Sequence, residues 1–352
     1  MFDETVETDL EAIVKDNEAL FGKIDGCNFL ITGGAGFLGA YFIDLLAYWN
    51  ESKAKKKCGI YCMDTFITGA PKRLAHLEGK PYFHKMKQSA ADPVPDGLKF
   101  DYILHCAGIA SPMFYRKYPI ETMDANVAGV RNLLEFSAKT SVKSMLFFSS
   151  SEIYGDPNPE NIPTKEDYRG NVSCTGPRAC YDESKRYGET LCVNFWKVKG
   201  VPVKSVRPFN VYGPGMKIDD RRVLPDFFRD AFAGRDISLL SDGKATRSFC
   251  YVSDAISGFM KALFSDCNGE PFNIGNDREE LTMMQLASSV SALFPGKISV
   301  VFKTSEDKNY LTDNPVRRCP DLSKSRRLLG YEPRIMIKEG LARMKNWYER
   351  NR

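Results

Sequence analysis

The sequence predicts an α/β fold, a doubly wound parallel sheet with a smaller C-terminal domain, and three observations carry that expectation. First, short and almost wholly apolar runs alternate with helical stretches from Asn28 to about residue 207. Strands that are apolar at every position are those covered on both faces, as parallel strands are. Second, a glycine-rich stretch, TGGAGFLG at 32–39, joins the first run to the first helix. That is where a Rossmann-type sheet carries its dinucleotide-binding turn. Third, beyond residue 207 the alternation breaks up and Gly, Pro and Arg become more frequent, as in a loop-rich unit.

Taken in order, Val6, Leu10, Ile13 and Val14 recur at helical spacing. Residues 5–21 are therefore expected to form an amphipathic helix, with Thr8 and Glu11 as a capping box. The runs Asn28–Thr32, Gly59–Met63, Tyr102–Cys106, Ser144–Ser149 and Val203–Arg207 read as strands, linked by helices near 37–49, 121–139 and 180–199. The expected division is an extension over 1–25, a cofactor domain over 26–206 and a substrate domain over 207–352. Residues 249–264 are expected to pack back on the cofactor domain, and a last helix spans about Lys338–Arg350.

Composition excludes several classes. With 43% hydrophobic and 27% charged residues the chain is neither disordered nor fibrous. The net charge of +4 is spread out, and the cluster Lys53, Lys55, Lys56 and Lys57 reads as a solvated loop. With no basic face, nucleic acid is not an expected partner. Ten cysteines form no disulfide framework and, with three histidines, show no metal-ligand spacing, so no metal is expected. Cysteines inside apolar runs, such as Cys106 and Cys250, fit a reducing compartment. The acidic N-terminus lacks the basic-then-apolar order of a signal peptide. No apolar run approaches the ~18–20 residues that span a bilayer. A cytoplasmic protein with no membrane partner is expected.

Gly33, Gly36 and Gly39 are spaced G-x-x-G-x-x-G, and Phe37 and Leu38 open the helix that follows. Glycine allows backbone to approach a pyrophosphate, which then sits at the positive helix N-terminus. The second run ends at Asp64, whose carboxylate can accept from the ribose hydroxyls and would repel a 2′-phosphate. NAD is therefore favoured over NADP, with Ala107, just past the third run, beside it. Tyr181 and Lys185 lie four apart on a predicted helix and share a face. A nearby ammonium is expected to lower the tyrosine pKa, so that Tyr181 can take a proton from a substrate hydroxyl while hydride leaves the same carbon. The pattern Y-x-x-x-K is common. Here it follows both a dinucleotide turn and the run Ser149-Ser150-Ser151-Glu152.

These motifs, with SSSEIYGDP at 149–157, YDESK at 181–185 and RPFNVYGPG at 207–215, resemble the extended short-chain dehydrogenases, the NAD-dependent epimerases and dehydratases of nucleotide sugars. Within that family DTFITG at 64–69, GPRACYDESKR at 176–186, TRSFCYVSD at 246–254 and RRCPD at 317–321 are most similar to UDP-glucuronate decarboxylases. The resemblance implies NAD as cofactor, a nucleotide-diphosphate sugar as substrate and a homodimer joined through the helices at 121–139 and 180–199. It implies catalytic roles for Ser150, Ser151, Glu152, Tyr181 and Lys185, the arginine of decarboxylation at Arg247, and diphosphate contacts at Asn210 and Arg222. Glu152 is expected to position substrate or deliver a proton to carbon 5.

Two positions depart from the family pattern: Ser89 stands where relatives have an aspartate near the adenine, and Gly215 replaces an arginine. Ser151 occupies the place of the aspartate that protonates a leaving hydroxyl in dTDP-glucose 4,6-dehydratases, which argues against that branch. GDP-mannose-type 4,6-dehydratases, 4-epimerases and 4-dehydrogenases share the same Tyr and Lys. A redox-sensing NAD-binding protein without turnover is the reading from another class, and the presence of both Tyr181 and Lys185 speaks against it.

Overall fold

A computed structural model describes residues 2–296, 298–305 and 312–352. Seven parallel strands form the central sheet: β1 (Asn28–Thr32), β2 (Gly59–Asp64), β3 (Phe83–Lys87), β4 (Tyr102–His105), β5 (Ser144–Phe148), β6 (Val203–Pro208) and β7 (Pro271–Ile274). Their order is β7-β6-β5-β4-β1-β2-β3. The order reverses between β1 and β4, so the crossovers leave opposite faces there and open a crevice at the carboxyl ends of the strands. β4 and β5 are buried at every position, which is why they read as continuous apolar runs.

Two of these strands were not expected. β3 is a half-exposed edge with the polar sequence FHKMK, and such an edge carries little hydrophobic signal. β7 lies within the irregular C-terminal stretch yet pairs with β6. The cut at residue 207 therefore does not separate one sheet from another. Helix Val252–Leu263 is buried along nearly its whole length and packs on β5 and β6. The expected continuous helix at 121–139 is interrupted: Pro119–Asp124 and Val130–Lys139 are joined by a wide π turn at Ala125–Gly129. Among the described residues no helix is long and apolar enough to cross a membrane.

The C-terminal unit holds a small sheet in which Thr246–Ser248 lies between Glu280–Thr282 and Arg317–Arg318. Its register sets Arg318 beside Arg247. Two cationic residues 71 positions apart in the chain (318 minus 247) are thereby delivered to one wall of the crevice.

The N-terminal helix differs from its expected form. It spans Glu4–Asp16 and is capped by Asp3, whose carboxylate accepts from the Thr5 amide at 3.0 Å. Thr8 and Glu11 form no capping box, because Thr8 is already inside the helix and its hydroxyl donates to the Glu4 carbonyl. Val6, Leu10, Ile13 and Val14 are buried, and with them Asp9. The Asp9 carboxylate accepts from Tyr41 and Tyr251 hydroxyls at 2.8 Å each and from Arg343 at 2.7 Å. One buried acid thus ties the first crossover helix (Phe37–Ser52), the strand at Cys250–Tyr251 and the C-terminal helix (Ile337–Asn351) to the N-terminal helix.

Burial pushes the Asp9 carboxyl up to about 6 despite those donors. A native acid with a raised pKa holds its proton more tightly than the unfolded chain does. Its contribution to stability is full below the ordinary carboxylate value and is lost as pH rises through about 6. Denaturant titrations of wild type and Asp9→Asn at several pH values should show the wild type losing ground between pH ~4 and ~7, by at most about 3 kcal/mol. A difference that is flat with pH would contradict this reading of the buried acid.

Candidate active site

The crevice at the strand ends is a continuous cleft of about 2280 Å³, more than twice the ~1,000 Å³ upper end of a single small-molecule site. It has room for two large ligands side by side. Every residue that the sequence singled out lines it, so the chain brings together positions from 33 to 247.

At one end lies the glycine turn. A Cβ on Gly39 would stand 2.3 Å from the Gly33 carbonyl oxygen, and one on Gly33 would stand 2.7 Å from the Ala107 Cα. Turn, helix start and the end of β4 are in backbone contact, and only glycine permits it. Gly36 caps the helix that begins at Phe37, and no side chain covers that end. The amides of Phe37, Leu38 and Gly39 are therefore free to bind an anion. Asp64 closes β2, where its oxygens accept from the Ala35 amide at 2.9 Å and the Phe66 amide at 2.6 Å. This fixes an ionisable acceptor at the rim, and each oxygen retains a lone pair. The glycine cradle and the fixed aspartate fit the pyrophosphate and the ribose of an NAD-type dinucleotide.

At the other end Ser150, Tyr181 and Lys185 meet. Ser150 leaves the end of β5, accepts from the Glu152 amide at 3.1 Å and hydrogen-bonds Tyr181. Tyr181 and Lys185 share one face of helix Ala179–Lys199. The Tyr115 ring stacks on Tyr181 with centroids 5.2 Å apart. Lys185 donates to the Phe148 carbonyl at 2.7 Å, and its Nζ lies 5.7 Å from the centre of the Tyr181 ring. The expectation that Lys185 lowers the Tyr181 pKa does not hold here. Burial pushes the phenol up to about 12, with the Ser150 hydrogen bond pulling the other way, and burial pushes Lys185 down to about 7. Both groups have lost water, and the lysine's proton is committed to a carbonyl. Desolvation therefore outweighs their mutual effect.

Next to this pair Glu152 sits in an arginine cage. Arg318 grips both carboxylate oxygens, with Nη2 2.7 Å from Oε2, and Arg178 closes on Oε2 as well. Burial alone would raise the Glu152 carboxyl, but the two guanidiniums outweigh it and hold it well below the usual carboxylate range. Glu152 therefore remains ionised, which is at odds with delivering a proton to carbon 5 and consistent with positioning. Ser151 is buried at the start of the short turn that presents Glu152.

Arg247 does not touch Glu152. It donates to the Thr246 and Val316 carbonyls at 2.7 and 3.3 Å, to the Pro315 carbonyl and to Asn314. Arg222 pairs with Asp220, and Asn210, in a left-handed conformation, donates to the Ser248 carbonyl at 2.8 Å. Sequence reasoning assigned no role to Arg178, Arg318 or Tyr115. The arginines lie within GPRAC and RRCPD, quoted for the resemblance. Tyr115, on the short helix Pro112–Lys117, carried no signal at all.

Residues 29–275 match the NAD dependent epimerase/dehydratase family. The chain belongs to that family. Its cofactor is accordingly NAD, which agrees with the glycine cradle and Asp64. Among this family's members the chain is 39% identical over 315 residues to UDP-glucuronic acid decarboxylase 6 of Arabidopsis thaliana, covering 90% of this chain and 87% of that protein. It is 35% identical to UDP-glucuronic acid decarboxylase 1 of Danio rerio, covering 93% of this chain and 73% of that one. Among solved structures, an epimerase of Methanothermobacter thermautotrophicus superposes with a TM-score of 0.80 at 25% identity over 95% of both chains.

Substituting Gly39→Ala should cost at least about tenfold in NAD affinity, because the added carbon would overlap the Gly33 carbonyl and open the cradle. A titration of NAD binding by intrinsic fluorescence on the purified variant checks this. Wild-type affinity would mean that the turn does not hold the pyrophosphate.

Proposed function

We propose that the chain converts UDP-glucuronate to UDP-xylose and carbon dioxide. The observation that carries this reading is the guanidinium pair Arg178 and Arg318 on the cleft wall beside Ser150 and Tyr181. A neutral sugar has no use for two arginines next to its reacting carbon, whereas an acidic sugar needs its carboxylate oriented there. The identity of 35–39% to curated UDP-glucuronic acid decarboxylases over most of the chain supports it.

Bound NAD supplies a hydride acceptor for carbon 4 of the sugar and a donor when the cycle closes. Burial holds Tyr181 as the neutral phenol, so it must first release its own proton; the phenolate then takes the proton of the 4-hydroxyl, with Ser150 hydrogen-bonding the same oxygen. A ketone at carbon 4 is β to the carboxylate, so carbon dioxide can depart while its electron pair moves to the ketone oxygen. The hydroxyls of Tyr181 and Ser150 then hold that oxyanion. Arg178 and Arg318 already carry Glu152, so they orient the sugar's carboxylate without fully neutralising it. That matters because a tightly paired carboxylate would resist leaving as neutral carbon dioxide. The proton that carbon 5 then needs comes from a water that donates a hydrogen bond to ionised Glu152, and the hydroxide left behind combines with the released carbon dioxide as bicarbonate or is neutralised by solvent. Asn210 and Arg222 serve the diphosphate, and backbone-tied Arg247 stands on the same side.

As for partners, Met113, Ile120, Met123 and Tyr187 are large apolar side chains exposed on the helices at 112–124 and 179–199. They form the face on which a second copy would dock, making the protein a homodimer. All ten cysteines are free and six of them are buried, which fits the reducing cytoplasm. Light scattering of Ile120→Lys should report half the wild-type mass.

Mass spectrometry of products from UDP-glucuronate and NAD should show loss of carbon dioxide. Tyr181→Phe should lower turnover by about 10²–10⁴-fold with NAD binding intact. Arg318→Leu should slow carbon dioxide release more than oxidation at carbon 4, so that NADH absorbance builds up. An unchanged acid sugar, with water lost from or a centre inverted in another nucleotide sugar, would sink the decarboxylase reading.

A further inference from the structure

In the cycle above one NAD takes the hydride and gives it back, so NADH that left between the two steps would strand a ketone. The site lies in a crevice at the ends of the strands, where a ligand exchanges with solvent unless a segment closes over it. β1 stands between β4 and β2. Its glycine turn, which fits the pyrophosphate, is therefore flanked by the segments that follow β2 and β4. The first carries Asp64, on the adenosine side. The second leads through Ser111 to the helix of Tyr115, whose ring stacks on Tyr181 on the nicotinamide side.

One segment of the C-terminal unit reaches both flanks. Residues 213–222 join the strand Val211–Tyr212 to the helix Val223–Phe232, and from Gly215 onward every one of them lines the cleft. Gly215 passes over the helix N-terminus: a Cβ built on it would lie 3.8 Å from the Phe37 ring and 3.6 Å from Arg73. Met216 is buried and roots the segment there. Beyond it the Lys217 ammonium donates to the Thr68 carbonyl at 2.5 Å and attracts the Asp64 carboxylate. On the other flank the Ser111 hydroxyl donates to the Asp220 carbonyl at 2.8 Å, and Arg222 lies within electrostatic reach of Tyr181. The segment thus bridges the crevice above the glycine turn, fastened on the strands to either side. Lys217 is exposed, so its bond can open without disturbing the core. Gly213 and Gly215, at φ 146° and 86°, give the backbone before it the freedom of a hinge.

We propose that residues 213–222 form a strap over the dinucleotide, which must unfasten at Lys217 and at Ser111 for NAD to enter or leave, so that NADH is kept in the cleft until its hydride is returned. Lys217 and Ser111 touch no reacting atom. They act on the rate of cofactor exchange. The inference rests on the NAD site, and the identity of the sugar does not enter it.

The test is exchange of bound NADH against excess NAD, followed by NADH fluorescence, in the full-length wild type, Lys217→Met and Ser111→Ala. Losing the charge-assisted hydrogen bond in Lys217→Met should speed release about tenfold, and losing the neutral one in Ser111→Ala about threefold. A strap obstructs traffic in both directions. NADH mixed with protein freed of cofactor should therefore also bind faster to each variant, by a similar factor. Faster release with association unchanged or slowed would make these residues plain ligands of the cofactor and overturn the strap. Release at the wild-type rate in either variant would overturn it too. If Lys217→Met does not fold, Lys217→Gln takes its place in the same comparison. Because no sugar is present, these outcomes stand apart from the product analysis that decides the decarboxylase reading.

Discussion

The backbone contact among Gly33, Gly39 and Ala107 is the constraint on which the site depends. It brings the first crossover helix so close to the ends of β1 and β4 that no side chain fits between them. That closeness aims the uncapped helix N-terminus into the crevice where the strand order reverses. The neighbouring strand ends then fall around the same crevice: Asp64 after β2, Ser150 after β5, and the small C-terminal sheet across from them. A wider turn would leave the sheet intact and lose the site.

Across the cleft, the chemistry is set by removal of water. Tyr181 and Lys185 are both pushed toward their neutral forms by burial, up to about 12 and down to about 7. Glu152 responds in the opposite direction because two guanidiniums outweigh its desolvation. Groups within one wall thus take opposite protonation tendencies according to whether a partner charge is supplied. The Tyr181 and Ser150 hydroxyls are kept as hydrogen-bonding groups, and the Glu152 carboxylate is kept as a fixed anion held by two arginines.

The N-terminal helix extends the same physics beyond the site. Its apolar stripe would seat it on any hydrophobic surface, but Asp9 among Tyr41, Tyr251 and Arg343 selects one seat. From there the segment reaches the cleft, where Phe2, Asp3 and Val6 line the same wall as Trp347 and Asn351. Asp3 both caps its helix and pairs with Arg350, so the two ends of the chain are fastened to each other beside the ligand space.

What the sequence determined by itself is local. Apolar runs buried on both faces, the glycine spacing and the i, i+4 pair of Tyr181 and Lys185 are patterns within a few residues. They were enough to establish the α/β class and to single out the glycine turn, Asp64 and the pair Tyr181 and Lys185, which the fold brings to one cleft. The edge strand β3 escaped because a half-exposed strand has no apolar signature. The N-terminal cap was misplaced because Thr8 and Glu11 match the capping-box pattern, whereas the true cap, Asp3, has Val6 three residues on and shows no such signature. What only the tertiary structure decided is which charges meet. Strand register set Arg318 beside Arg247, yet Arg318 and Arg178 close on Glu152 while Arg247 turns to backbone carbonyls. The direction of the Tyr181 and Lys185 shifts was likewise settled by burial, not by their spacing. Electrostatic roles depend on distance and on lost water, and both are properties of the packed chain rather than of any segment of it.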